Sequence, residues 1–181
     1  TRLLTEGLGA STIVGLPELP VLRQEIEVPH GAIVTVEVVS AQFNDVSMAK
    51  MGLNTIFPLQ VSPSKQSTAK APPFELDKAA YNHGGLAPAS PVSIAKDYIV
   101  RGHRILLVEI WPVAYDPVSG ILRLYSQVQF HLRLEGSDIV LTSDLVQRYA
   151  SPEFDHSLSN RVLNFTEGSM DLDEEGIGYL M

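Results

Sequence analysis

The sequence predicts a mainly β chain, and three observations carry that expectation. Turn residues recur throughout, with 13 Gly and 12 Pro among 181 residues. The stretches between them are short and rich in Val, Ile and Leu, as strands closed by turns are. The apolar share is 45% and the charged share 19%. That balance and length suit one core with an appendage, and need no disulfides to bury it.

The first clear strand covers residues 21–28 and stops at Pro29 and the turn pair His30-Gly31. Residues 32–43 form a longer β-branched run. Residues 56–61 form a short one, which Pro58 confines to an edge or a bulge. Residues 62–73, SPSKQSTAKAPP, are small, polar and Pro-containing, and read as an exposed, mobile loop. Residues 82–91, NHGGLAPASP, are also irregular. A hairpin is expected next. Residues 104–111 are almost continuously apolar, as a strand covered on both faces is, and Pro112 ends them. Residues 115–120, YDPVSG, supply the turn. Then Leu122, Leu124, Val128, Phe130, Leu132 and Leu134 alternate with mostly polar residues, the pattern of a half-buried strand.

After Gly136 the pattern changes. Thr142-Ser143-Asp144 suits a short capped turn of helix. Ser151-Pro152-Glu153 places an N-cap, a Pro at the first helical position and an early acid. Phe154, Leu158, Val162 and Phe165 recur at helical spacing, so one amphipathic helix is expected over residues 152–165. Its stripe fits docking on the sheet, or a groove in a partner. Residues 171–175, DLDEE, read as a hydrated linker rather than a calcium loop, because the alternating acids and the glycine of such a loop are missing. Residues 177–181, IGYLM, look like the opening of a strand without a partner in this chain, either disordered or paired with a separate polypeptide.

Composition removes several function classes. With no Cys, there is no thiolate metal site, disulfide or cysteine nucleophile. The net charge of −8 sits in the tail: residues 136–181 hold nine acids and two bases, residues 1–135 twelve and eleven. Neither part has the basic footprint of a nucleic-acid binder. No apolar run approaches the ~20 residues that span a bilayer, and no signal peptide opens the sequence, which reads as a processed start. His30, His83, His103, His131 and His156 are scattered without ligand spacing and read as solvated or capping groups. No metal, no cofactor and no catalytic residue is expected.

Six pieces of this sequence resemble, in order, propeptides of the gingipain family of cysteine peptidases. They are Gly15-Leu-Pro-Glu-Leu-Pro20, Ile26-Glu-Val-Pro29, Tyr81-Asn82, Arg101-Gly102, residues 112–125 and Val162-Leu-Asn-Phe165. The resemblance spans residues 15–166, and against it this chain looks shortened at its start. It implies an antiparallel β-sandwich with one C-terminal amphipathic helix, preceding a caspase-like catalytic domain. Such a propeptide assists folding of the peptidase and keeps it latent by blocking the active-site cleft with a loop. That loop here is Leu86, Ala87, Pro88, Ala89, Ser90, Pro91 and Val92. The family pattern has a basic residue in the loop, and this loop has none. The final cut after the helix also follows a basic residue in the family, whereas Ser169 and Met170 stand here. Internal processing falls to Lys65 and Lys70.

The expected organisation is therefore a sandwich over residues 1–141, a helical connector over 142–168, and an acidic linker with the start of a downstream catalytic-domain strand over 169–181. The expected partner is a cognate cysteine peptidase domain, in a secreted or cell-surface bacterial setting. The rival reading is a stand-alone sandwich that binds glycans or cell-surface proteins, for which Trp111 is the sole Trp. Limited trypsin is expected to cut first at Lys65 or Lys70, since exposed small-residue loops are nicked first. Mass spectrometry of the early fragments checks this; a first cut at Arg104 or Arg123 means that the strands are misplaced.

Overall fold

The computed structural model describes residues 1–3, 5–63, 65, 71–165 and the backbone of 177–180. In chain order the strands are β1 (Gly9–Ala10), β2 (Pro20–Val28), β3 (Ile33–Ser47), β4 (Val92–Val100), β5 (His103–Ile110), β6 (Val113–Asp116), β7 (Ile121–Glu135) and β8 (Ile177–Leu180). The helices are α1 (Lys78–Asn82), α2 (Ile139–Tyr149) and α3 (Pro152–Ser159), with a 3-10 turn at Ala49–Met51. Two antiparallel sheets form a sandwich, one ordered β1-β2-β5-β4 and the other β3-β7-β6, with β8 on β7. The chain divides into two compact units. One gathers Thr1–Leu22, Phe43–Pro91 and Trp111–Ser126, the other Arg23–Gln42, Val92–Ile110 and Gln127–Met181.

In the first unit Leu19, Met48, Ile56, Val113, Tyr115 and Leu122 are buried together. Burying such side chains stabilises the fold by roughly 1.5–3 kcal/mol each. The expected hairpin is present but its first arm is β6, not residues 104–111. Val113 pairs with Leu124 and Asp116 with Ile121, whereas β5 lies in the other sheet. Pro112 ends β5 as expected, but here the chain also changes sheets. The turn chemistry holds. Asp116 accepts bonds from the Val118 amide (3.0 Å) and the Ser119 hydroxyl (2.7 Å), and Gly120 takes a positive φ of 65°. Residues 56–61 are not a strand. Pro17 and Pro58 face each other in an isolated bridge, and neither has the N–H a ladder needs.

In the second unit a tight hairpin joins β4 to β5. Both turn residues have positive φ, 47° at Arg101 and 85° at Gly102, which matches the right-handed twist of the arms. A bulge between Ile94 and Lys96 shifts the register, so that Val108 faces Ile94 but Leu107 faces Lys96. In β5, which is paired without interruption, neighbours Ile105 and Leu106 point to opposite faces and are both only 1% exposed. Strand β5 is thus covered on both faces, as its continuous apolar run predicts.

The C-terminal region holds two helices. Helix α2 starts at an N-cap four residues before Thr142: Asp138 Oδ1 accepts the Leu141 amide at 2.8 Å. Thr142 lies inside the helix, where its hydroxyl accepts the His30 amide (2.9 Å) and donates to the Asp138 carbonyl (2.6 Å). Helix α3 starts at Pro152 as expected but stops at Ser159. Beyond it the chain returns to β2, with Val162 bridged to Glu25 and the Leu163 amide donating to the Glu25 carbonyl at 2.9 Å. Val162 is buried as its spacing predicts, but by a strand-like contact rather than a helical one. Residues 177–180 are also not partnerless. They pair with β7 from Gln129↔Leu180 to Leu132↔Ile177, beyond the stretch that β6 occupies. An apolar segment's backbone groups are satisfied there by an open sheet edge. The acidic linker, residues 171–175, lies outside the described residues.

At the β4–β5 turn, a Cβ on Gly102 would lie 2.4 Å from the Leu145 carbonyl oxygen of α2, at a positive φ besides. Gly102→Ala should lower stability in urea unfolding by more than about 1 kcal/mol. Gly84→Ala, where a Cβ meets nothing within 4 Å, should stay within about 0.5 kcal/mol of the parent.

Candidate functional site: the Leu86–Val92 loop

The loop is led in by a short capped helix. Asp77 Oδ1 accepts the Ala79 (2.9 Å) and Ala80 (3.1 Å) amides at the start of α1. At its end Tyr81 sends its hydroxyl to the Ile56 carbonyl at 2.8 Å. Burial, and the neighbouring Tyr115, push the Tyr81 phenol up to about 12. Gly84 and Gly85 follow, Gly85 at a φ of 110°. The Asp116 carboxyl is held below its ordinary range first by the Ser119 hydroxyl, then by backbone amides that include Gly85.

The loop itself is pinned at two points. Ala87 exchanges two backbone bonds with Tyr115, at 3.0 and 2.9 Å. The Pro91 carbonyl accepts the Trp111 amide at 2.8 Å. The Ala87–Pro88 peptide is cis. The seven residues divide by exposure. Pro91 and Val92 are buried, Leu86 and Pro88 half-buried, and the Ala87, Ala89 and Ser90 side chains exposed. With Ala87 tied down through its backbone, the tip available for contact is Ala89 and Ser90. Sequence reasoning located the loop and its prolines but missed its anchor, Tyr115. The alternation in Val113-Ala-Tyr-Asp116 was the available signal, hidden because YDPVSG was read whole as a turn.

The other candidates fare differently. Lys65 is exposed, while Lys70, Ser169 and Met170 lie outside the described residues. Trp111 packs partly buried against the Tyr115 cluster. Two histidines read as solvated or capping are buried. His30 Nε2 sits 2.7 Å from the Gly102 carbonyl, and His103 Nδ1 2.7 Å from Glu27 Oε1. Their partners are more than 70 residues away in sequence, so periodicity could not reveal them. Among the described residues no group of three His, Asp or Glu is placed to hold a metal ion, and no helix is long and apolar enough to cross a membrane.

A family model described as Propeptide_C25 matches residues 3–143, which contain the whole loop. The chain belongs to this family of gingipain propeptides. The propeptide itself is non-catalytic. Lys-gingipain HG66 of Porphyromonas gingivalis is 32% identical over 142 residues, 78% of this chain and 8% of that protein. Gingipain R2 of the same bacterium is 27% identical over 129 residues, 68% of this chain and 16% of that protein. The chain thus spans a small part of the length of the curated relatives it matches. Among solved structures, one concerning the zymogenic latency of gingipain K from Porphyromonas gingivalis has a TM-score of 0.57 at 31% identity, with 72% of each chain covered. The complex of Porphyromonas gingivalis RgpB pro- and mature domains has a TM-score of 0.65 at 20% identity, covering 88% of this chain and 77% of that one. The second likeness is one of fold.

The burial split within the loop gives a separable expectation. Val92→Ala should cost roughly 1.5–3 kcal/mol in chemical unfolding, because Val92 is buried. Ala89→Trp, at an exposed position, should leave the midpoint within about 0.5 kcal/mol of the parent.

Proposed function

We propose that this domain assists the folding of a gingipain-like cysteine peptidase and keeps it latent by laying the Leu86–Val92 loop across the active-site cleft. Membership of the propeptide family carries this reading, and the loop's geometry supports it. A tip of two small exposed residues, held at Ala87 and Pro91 by backbone bonds, loses little freedom on docking. The stretch of residues 1–135 is nearly neutral, so the domain approaches a cleft without gross repulsion. A tethered inhibitor also gains from high effective concentration.

The loop has no basic residue to enter a specificity pocket. The parent peptidase then has either a preference for small or neutral side chains, or a latency that blocks the cleft without mimicking substrate. We assign the sandwich to residues 1–141, the connector to 142–168, and the downstream linker with the first catalytic-domain strand to 169–181, the strand residues 177–180 lying here along β7. Lys65 and Lys70 are the internal processing candidates, and Ser169 and Met170 the final ones. The setting is the outside of a bacterial cell, secreted or surface-bound.

The test is inhibition in trans. The purified chain, mixed with the mature cognate peptidase, should slow peptide hydrolysis at micromolar concentration, and Ala89→Trp with Ser90→Trp should relieve the inhibition. No slowing by the parent chain overturns the proposal. Slowing that survives the double substitution keeps latency but removes this loop from the cleft.

A further inference from the structure

One buried ionisable cluster is used by nothing described so far. It lies in the second unit, where the segment after α2 folds back on the sheet. Glu27 of β2 is 3% exposed and His103 of β5 is 4% exposed. His103 Nδ1 lies 2.7 Å from Glu27 Oε1, and Nε2 lies 3.8 Å from Asp155 Oδ1 of α3. The Phe165 ring lies against the imidazole at 5.5 Å between centroids. The same segment is fastened by neutral contacts. The Asn164 side-chain amide brackets the Glu27 backbone, accepting its N–H at 2.8 Å and donating to its carbonyl at 2.9 Å. Leu158 and Val162 bury against Ile105.

We propose that His103 is a pH-sensitive clamp that holds residues 152–165 on the sheet when protonated and loosens them when it loses its proton. The geometry distinguishes the two states. The imidazolium has an N–H on each nitrogen, and each nitrogen faces a carboxylate, one on β2 and one on α3. Neutral imidazole keeps one N–H. With that hydrogen on Nδ1 for Glu27, a lone pair on Nε2 faces the Asp155 carboxylate, and attraction across the α3 contact turns to repulsion. The other charged groups nearby are already engaged. Arg104 binds Asp97 and the carbonyls of Pro29 and Ala32. Arg161 of the returning segment pairs with Glu25. Arg101 stacks over Phe154 of α3 at 5.2 Å, and His30 is bonded to the Gly102 carbonyl. None of these replaces His103 between the two acids.

The Glu27 hydrogen bond raises the His103 pKa above 6.5, with the charges of Glu27 and Asp155 adding to the rise and burial opposing it. A raised value means stabilisation that is complete below the ordinary histidine range and lost as pH climbs through the raised value. The segment is therefore firmest in mild acid and loosens on the alkaline side of neutrality.

Hydrogen exchange of the intact chain tests this, read as protection factors so that the intrinsic pH dependence of exchange is removed. Between about pH 6 and pH 9, across the histidine range, protection of residues 152–165 should fall several-fold while that of the β6–β7 hairpin holds. In His103→Gln the fall should vanish, since glutamine donates to Glu27 without titrating. If that variant does not fold, Asp155→Asn decides, because it removes the α3 acid and should shrink the fall and move what remains to lower pH. A variant that folds and keeps the parent's pH profile overturns the clamp, as does a fall shared equally by the hairpin.

Discussion

Tyr115 carries two duties that cannot be separated. Its side chain is buried at the centre of the first unit's apolar cluster. Its backbone N–H and C=O are both spent on Ala87. In β6 it faces Leu122 of β7, so the strand lies between a long partner on one edge and a single loop residue on the other. A four-residue strand with an open edge would leave polar groups unpaired near a core, which is costly. The loop closes that edge, and the core side chain fixes where the edge lies. Loop position is thereby set by packing, the least adjustable feature of a folded domain.

This arrangement bears on how a recognition loop is tuned. Because backbone bonds and the buried Pro91 hold its ends, the exposed Ala89 side chain is left to vary without disturbing the fold. Agreement in fold with the RgpB pro-domain complex persists at 20% identity over 88% of this chain, while the gingipain K likeness at 31% identity extends over 72%. Cores retain a fold through pattern and volume rather than through identical residues, and specificity resides in sites carried on the fold.

What the sequence revealed followed from local periodicity. Strand β7 alternates, and Leu122, Val128, Phe130 and Leu132 are buried as the pattern requires, whereas Leu124 of the same series is 38% exposed. The turn after β6 was legible from Asp116, Pro117 and Gly120. Strand β6 was not, because four residues are too few to display a period and Pro112 seemed to close the whole run. Strand β4 was obscured by its bulge at Ile94–Lys96, which puts Lys96 and Asp97 where apolar residues would mark a strand. Helix α2 was obscured by its apolar opening, Ile139-Val140-Leu141, which is exposed in the structure and resembles a strand in composition. The buried His103–Glu27 pair and the Ala87–Tyr115 bridge depend on residues far apart in the chain, and no local pattern encodes such contacts.

The region after α2 shows why a boundary drawn by similarity need not be a physical one. The family match ends at residue 143, yet the segment beyond it completes the second unit. Strand β1 pairs with β2 only at Pro20 and Val21. The edge further along β2 is covered instead by the returning chain, through Val162, Leu163 and the Asn164 amide, which substitutes for a peptide group. Leu158 and Val162 in turn cover Ile105, which faces away from its neighbour Leu106 in the alternation of β5. Without this segment, Ile105 would meet water, the Glu27 backbone would lose two bonds, and the His103–Glu27 pair would lose its cover. The apolar stripe docks on the sheet, as one of its two readings had it, and Leu158 and Val162 form the outer wall of β5. Its place against the sheet follows from the apolar run of β5, since a strand apolar on both faces needs a layer on each.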